Sequence, residues 1–439
     1  MEVRSDSKMR FSPSLLLKQA AGGFVAKVVG AGIAFLVSVL FARHLGPEGF
    51  GVYAMTMTTV NIIATIAMLG LPMLLARQVA IYSESEQWGL LKGIVLRGHQ
   101  WVIVAVAIIV VLCAIGMFFF VPQSWLLVSM LGMLFLPLLA LNQIRAGVLR
   151  GLHFVVLADI PELFLRHCLV LVLICTVVYF TEWDISASGA IGIQLIAVLI
   201  TYLFGIWLLR EKMPVQIAHV SADFEDRRWF SAGATFLVIA LVTVVEGQLS
   251  LLILGGLAGP EFAGLYQAAV QLVSLVVFGL FAVNMSLQPK LAAAWSVGDK
   301  QKVQGLASEA SRLGVLVALL AGGGLLVFSE QALALFGASY LDAAPALRVL
   351  VIGHILNAFA GSCGMVLVMT GYQREFLRGI LIALMVNVTL CFVLIPYWGV
   401  IGGAVAASAG LVTWNAYLMV RALQLTGIRT AFSMRKNYV

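Results

Sequence analysis

Two ionisable residues sit where a charge is costly. Lys27 stands in GGFVAKVVGAGIAF and Glu246 in IALVTVVEGQLSLLI, both apolar stretches. A charge at mid-membrane depth costs at least ~2.5–3.5 kcal/mol on insertion scales, so its default reading is functional. Helical spacing from Lys27 reaches Ala20, Gly23, Gly30, Ala31 and Ala34. That small face leaves room for a cavity or for a close-packed helix. Lys27 is then a cation offered to a ligand, an anchor snorkelling to the surface, or half of an ion pair. It follows Lys18 by roughly 13 Å of helix rise, which a lysine stem covers only in part. Glu246 shares its face with Thr243 and Ser250. A carboxylate there can take up a proton during a conformational cycle; the alternative is a permanently protonated or hydrogen-bonded side chain. Levelled by their helix starts, Glu246 and Lys27 lie more than ~10 Å apart in depth, so no direct salt bridge between them is expected.

Other chemistries are missing from the sequence. Cys113, Cys168, Cys175, Cys363 and Cys391 all fall in apolar runs, with no C-x-x-C pair and no His at metal spacing. They read as small packing residues, and no metal site is expected. There is no phosphate-binding G-x-x-x-x-G-K-[ST] loop, no H-E-x-x-H and no G-x-S-x-G, so no nucleotide hydrolysis and no catalysis are expected. No basic tail or aromatic-basic face points to nucleic acid.

The elements that must position Lys27 and Glu246 are membrane helices. Of 439 residues, 62% are hydrophobic and 11% charged, against ~25% charged in soluble domains. Spans of ~20 apolar residues can be placed at 18–42, 51–76, 94–120, 125–149, 160–181, 187–209, 230–256, 263–287, 311–329, 344–370, 377–396 and 399–425. The first run is too long for a signal-peptide core and is read as a retained helix. With the N-terminus inside, all but three of the 27 Lys and Arg fall on inner connections or tails. The three are Arg43, Arg348 and Lys27 itself. This asymmetry places both termini in the cytoplasm.

GPEGFGVY (Gly46–Tyr53) and GPEFAGLY (Gly259–Tyr266) repeat one loop, between helices 1 and 2 and again between helices 7 and 8. The chain therefore reads as two six-helix lobes of equal orientation: residues 1–210, a cytoplasmic linker at 211–229, and residues 230–439. In each loop Gly and Pro end one helix and Pro-Glu suits the first turn of the next. The glycines permit a tight turn, and Tyr53 and Tyr266 are expected as interfacial anchors. In the linker, SADFEDRR is expected to start an interfacial helix. Residues 288–312 are expected as an amphipathic surface helix, with Val303, Leu306 and Ala310 on its apolar side. Pro137 is a candidate kink, and Gly399, Gly403 and Ala407 form a small-residue packing row.

The motifs resemble a family. FARHLGPEGFGVYAMTMTTVNIIATIAMLGLPMLLARQVA (Phe41–Ala80) is similar to the N-terminal signature of bacterial polysaccharide transporters. These are the O-antigen and exopolysaccharide flippases of the multidrug/oligosaccharidyl-lipid/polysaccharide exporter superfamily. VLRGLHF (Val148–Phe154), LALFGASYLDAAPALRVL (Leu333–Leu350) and VMTGYQREF (Val368–Phe376) resemble later loops of the same family. The resemblance implies an all-α, V-shaped, twelve-helix exporter in the bacterial cytoplasmic membrane. It would carry undecaprenyl-diphosphate-linked oligosaccharide from the inner to the outer leaflet by alternating access. It implies no cofactor beyond a coupling H+ or Na+, with membrane lipids and a polysaccharide polymerase as candidate partners. Lys27 would meet the diphosphate and Glu246 would serve ion coupling. Arg43 would receive the diphosphate before release, or pair with Glu48 or lipid headgroups. Arg145, Arg150 and Arg166, with Asp159 and Glu162, would guide the diphosphate inward or close an inner gate by ion pairs.

Asn61, Asn142, Gln143, Gln194, Gln271, Asn284, Asn357 and Asn387 suit sugar hydroxyls or helix packing. Trp207 and Trp414 suit sugar stacking, the membrane belt or packing. The rivals are a cation-coupled multidrug and toxin extruder of the same superfamily, and a membrane glycan polymerase or ligase. The latter usually needs a large basic outer loop, which the sequence lacks.

Overall fold

The computed structural model of the chain describes residues 13–180 and 185–432, with side chains from Lys27 onward apart from positions 120 and 286. Arg4, Lys8, Arg10, Arg435 and Lys436, used above for orientation, lie outside that range, and only helical backbone is described at Lys18, Ala20 and Gly23. The helices are α1 (Pro13–Ala67), α2 (Leu71–Glu84), α3 (Trp88–Phe120), α4 (Gln123–Gly151) and α5 (Val155–Ile160). A π-helical turn (Pro161–Leu165) leads into α6 (Arg166–Phe180), followed by α7 (Ala187–Lys212), α8 (Asp226–Ala258) and α9 (Pro260–Ser296). The last are α10 (Lys300–Val327), α11 (Ser329–Ala334), α12 (Ala344–Ala360), α13 (Cys363–Met369) and α14 (Gln373–Thr426). No strand occurs among the described residues.

Ten helical segments among the described residues are long and apolar enough to cross a membrane. Large apolar side chains such as Phe118, Leu320 and Met385 point away from the protein, at 83%, 70% and 72% exposure. Only lipid makes such a surface stable, and the chain is a multi-pass membrane protein. Two helices are far longer than one crossing. α1 has 55 residues and α14 has 54, about 80 Å each at 1.5 Å per residue, against a ~30 Å hydrocarbon core. Each contains one non-helical residue, Gly46 at φ 65° and Gly399 at φ 52°. Twelve crossings require each to cross twice, turning at those glycines.

Several local expectations are corrected. Gly399 is a break, not part of a packing row. The helix after the first break ends at Ala67, and α2 restarts after the left-handed Gly70. The expected span 344–370 is interrupted at Gly361, φ 75°. Ser221–Glu225 is non-helical, and Asp226 opens α8 directly, so there is no separate interfacial helix. Residues 300–312 are the first turns of spanning α10; Val303 and Ala310 are buried as their spacing foresaw, but against protein. α4 runs through Pro137 without a non-helical residue. Tyr266 is 5% exposed, and the half-buried Tyr53 accepts a hydrogen bond from Gln194 at 3.1 Å, so neither is an interfacial anchor.

Apolar packing divides the molecule. One core, with Val60, Leu74, Ile94, Phe135, Leu139 and Val198, lies in α1–α7 and takes in Ile217 of the linker and Trp229 at the start of α8. Smaller cores lie within α9–α14. A third core joins the halves near the repeated Gly-Pro elbows, where Phe41, Phe50, Leu254, Ala263, Phe336 and Tyr340 meet. The halves are therefore fused at the elbow end. Toward the linker end the start of α8 stays packed on the first half, with Gly70 against Gly233, while α9–α14 keep their own cores, and the V opens between these and the first half.

The linker is docked on the first half. Lys92 Nζ donates to Val220 O at 2.8 Å, Arg97 pairs with Asp226 at 3.1 Å, and Trp229 donates to Tyr82 at 3.0 Å. A Cβ at Gly93 would lie 1.7 Å from Asp223 O. Gly93→Val is expected to undock the linker by about 1–3 kcal/mol of overpacking. Tryptic cleavage at Lys212 or Arg227 should then rise by at least several-fold, since cleavage follows the open population; an unchanged rate would sink the idea.

Candidate functional site

Charge gathers on the first half, where α1 meets the π-helical turn. That turn starts at Pro161, which lacks an N–H, and widened turns of this kind recur at functional sites. α1 can approach it because position 30 is glycine: a Cβ there would lie 2.3 Å from Leu163 O. The small face around Lys27 thus serves close packing at Gly30. Beside it, Lys27 Nζ lies 3.8 Å from Asp159, and Arg150 grips the same carboxylate at 2.8 Å. Glu162 lies 3.4 Å from Arg166 and accepts from Asn142, whose carbonyl accepts from Arg145 Nε at 2.8 Å. Three cations are paired with two carboxylates and a fourth, Arg145, is held by neutral oxygens, so the cluster keeps net positive charge. Arg145 is 1% exposed and also donates to Ala158 O at 3.2 Å. It props the cluster from inside. Lys27 and Arg150 remain about one-third exposed at its edge. Lys27 Nζ also stands 5.9 Å from the Phe281 ring of α9, across the cleft, within cation–π range.

Glu246 lies elsewhere. Counted from the elbow glycines, it is ~9 Å nearer the elbow end than Lys27, and no ion pair links them among the described residues. Glu246 lines a cavity of about 610 Å³ in the second half, with Tyr266, Phe281, His354, Asn357 and Trp414. Among the described residues it has no hydrogen-bond or ion-pair partner. Neither His354 Nδ1 nor Trp414 Nε1 has one. Sequence reading passed over His354, a lone histidine in an apolar run. It gave Trp207 and Trp414 the same choice of sugar stacking, belt or packing; the Trp207 ring is 56% exposed beside Phe204, whereas Trp414 lines the cavity.

Arg43 is a fastener in this conformation. Its Nε donates to Leu335 O at 2.6 Å, and no pair with Glu48 occurs among the described residues. Beside it, buried Tyr340 donates to Ala42 O at 2.9 Å. The α11–α12 connection thus clips α1 just before its Gly46 break, across the halves. Tyr340→Phe is expected to weaken the closed elbow end by about 1 kcal/mol, a roughly fivefold population shift. A maleimide reacting with Ser339→Cys in a cysteine-free background should report it as faster labelling.

A family profile described as polysaccharide biosynthesis protein matches residues 16–295. The chain is 22% identical to stage V sporulation protein B of Bacillus subtilis, covering 92% of this chain and 82% of that one. It is 23% identical to a probable low-salt glycan biosynthesis flippase of Haloferax volcanii, covering 88% and 79%. Among solved structures, the inward-facing conformation of a multidrug resistance MATE family transporter of the MOP superfamily superimposes with TM-score 0.77 at 16% identity, covering 92% and 98%. At that identity the likeness speaks for the fold alone.

Proposed function

Because the chain belongs to the polysaccharide biosynthesis protein family, we propose that it is a flippase for undecaprenyl-diphosphate-linked oligosaccharide. The observation that carries this reading is the cationic cluster at the edge of the cleft. Four cations, three of them paired, stand beside only two carboxylates, which leaves Lys27 and Arg150 able to meet a diphosphate. Arg150 suits two-pronged phosphate contact, and Lys27 a point contact. Two lobes, 1–210 and 230–439, would rock about the docked linker at 211–229. The basic connections favour cytoplasmic termini, and with that orientation the V would open inward and the elbows face out. Glu246, unpartnered in its cavity, is the group to take up the coupling H+ or Na+. The product would be lipid-linked glycan in the outer leaflet of the cytoplasmic membrane, ready for a polymerase.

The test is a deletion strain complemented with wild type. Lipid-linked glycan should accumulate and surface polymer should disappear in the deletion, and wild type should restore both. Unchanged glycan pools with increased drug sensitivity would favour the extruder instead. An unpaired carboxylate in an aromatic-lined cavity is the observation on that side, since it suits a cationic drug.

A further inference from the structure

The repeat frames two different surfaces. Counted back from Gly46 and Gly259, Lys27 corresponds to Ala240, Ile33 to Glu246 and Arg43 to Gly256. One side of the cleft therefore carries cations, and the other a single carboxylate amid neutral polar groups. In the second-half cavity these include Asn357, Ser408 and Asn415. Asn284 accepts from Ser362, and Asn387 accepts from Ser250 at 3.0 Å. Two buried polar atoms lining the cavity, His354 Nδ1 and Trp414 Nε1, have no partner among the described residues, and the half-buried Glu246 beside them makes no ion pair there. Such groups are costly to bury unless a ligand or water satisfies them.

The wall beside them is aromatic and fixed. Phe376 and Trp414 pack edge to face at 5.6 Å and 72°. Trp414 lies against Gly379, where a Cβ would come within 2.9 Å of the indole. An indole face, amide side chains and an acceptor-only carboxylate together fit a sugar ring: the apolar face of the ring stacks while its hydroxyls meet the polar groups. The cavity, about 610 Å³, lies within the ~300–1,000 Å³ of small-molecule sites. Its position supplies the rest. Phe281 lines the cavity and lies 5.9 Å from Lys27 Nζ, so a diphosphate held at Lys27 has its next group at the mouth. A carboxylate on that sugar would face Glu246, like charge against like charge.

We propose that the second-half cavity is a sugar subsite, which receives the saccharide following the diphosphate and selects neutral or amino sugars over acidic ones. This rests on the flippase reading above.

The experiment is calorimetric titration of the protein in nanodiscs with three probes. They are geranyl diphosphate, geranyl diphosphate-linked N-acetylglucosamine and the same carrier bearing glucuronic acid. Wild type should bind the acetylglucosamine probe at least tenfold more tightly than the bare diphosphate, and the glucuronic acid probe no more tightly than the bare one. Trp414→Leu and the milder Asn357→Ala should erase the sugar increment and leave bare diphosphate binding unchanged. Glu246→Gln should tighten the glucuronic acid probe several-fold. Lys27→Ala should weaken all three alike. If the bare probe binds but the sugar adds nothing, or glucuronic acid binds as tightly as acetylglucosamine, this inference falls and the flippase reading stands. If no prenyl diphosphate binds, both fall.

Discussion

Lys27→Ala is expected to cut export of the lipid-linked glycan by roughly 10- to 100-fold, with normal protein in the membrane. The magnitude is that of one charge-assisted contact to phosphate, about 1.5–3 kcal/mol. The structure explains why folding should survive. Lys27 is 31% exposed and its contact with Asp159 is loose, at 3.8 Å. Asp159 keeps Arg150 at 2.8 Å when the lysine is gone, so no buried charge is orphaned. Lys27→Arg should retain most function. The measurement is the ratio of lipid-linked glycan to surface polymer in complemented deletion cells. A normal ratio with alanine at position 27 would remove Lys27 from the diphosphate site.

Gly51→Val and Gly264→Val should each open the elbow end, by the same amount. A Cβ at position 51 would lie 1.7 Å from Pro260 O, and one at position 264 would lie 1.9 Å from Pro47 O. Neither neighbour is a side-chain tip that can swing aside; both are backbone. Overpacking of about 1–3 kcal/mol shifts the closed population by roughly 5- to 150-fold. Spin labels at Glu48→Cys and Glu261→Cys, both exposed sites, in an otherwise cysteine-free background should report a longer distance for either valine. Labels that stay at the wild-type separation would show that this contact does not hold the halves together.

The same pair shows what was legible in the sequence. The repeated loop marked where the halves correspond, and Gly46 and Gly259 have the positive φ that a turn requires. The second glycine shared by the two loops, Gly51 and Gly264, was read as a turn residue, but its work is between halves. A sequence shows that a Cβ is absent, not which carbonyl fills the space. The cluster of Arg145, Arg150, Asp159, Glu162 and Arg166 was visible because its members are close in the chain; the ion pair of Lys27 with Asp159 was not, because it spans two helices. The cavity is the extreme case. Glu246, His354, Asn357 and Trp414 come from α8, α12 and α14, and their relation exists only after the second half folds. Hydropathy also reads through a glycine break, as at Gly361, since one small residue barely alters a window of twenty.

The elbow contact has one more property. Gly51 meets Pro260, and Gly264 meets Pro47, so the same pair of positions is used twice with the partners exchanged. This is an isologous contact, the kind made across a two-fold axis by identical subunits. Nothing in it depends on the residues in which the halves differ. A half carrying a single Gly-Pro elbow has what it needs to close against its own copy, so this contact survives any divergence of the two halves elsewhere.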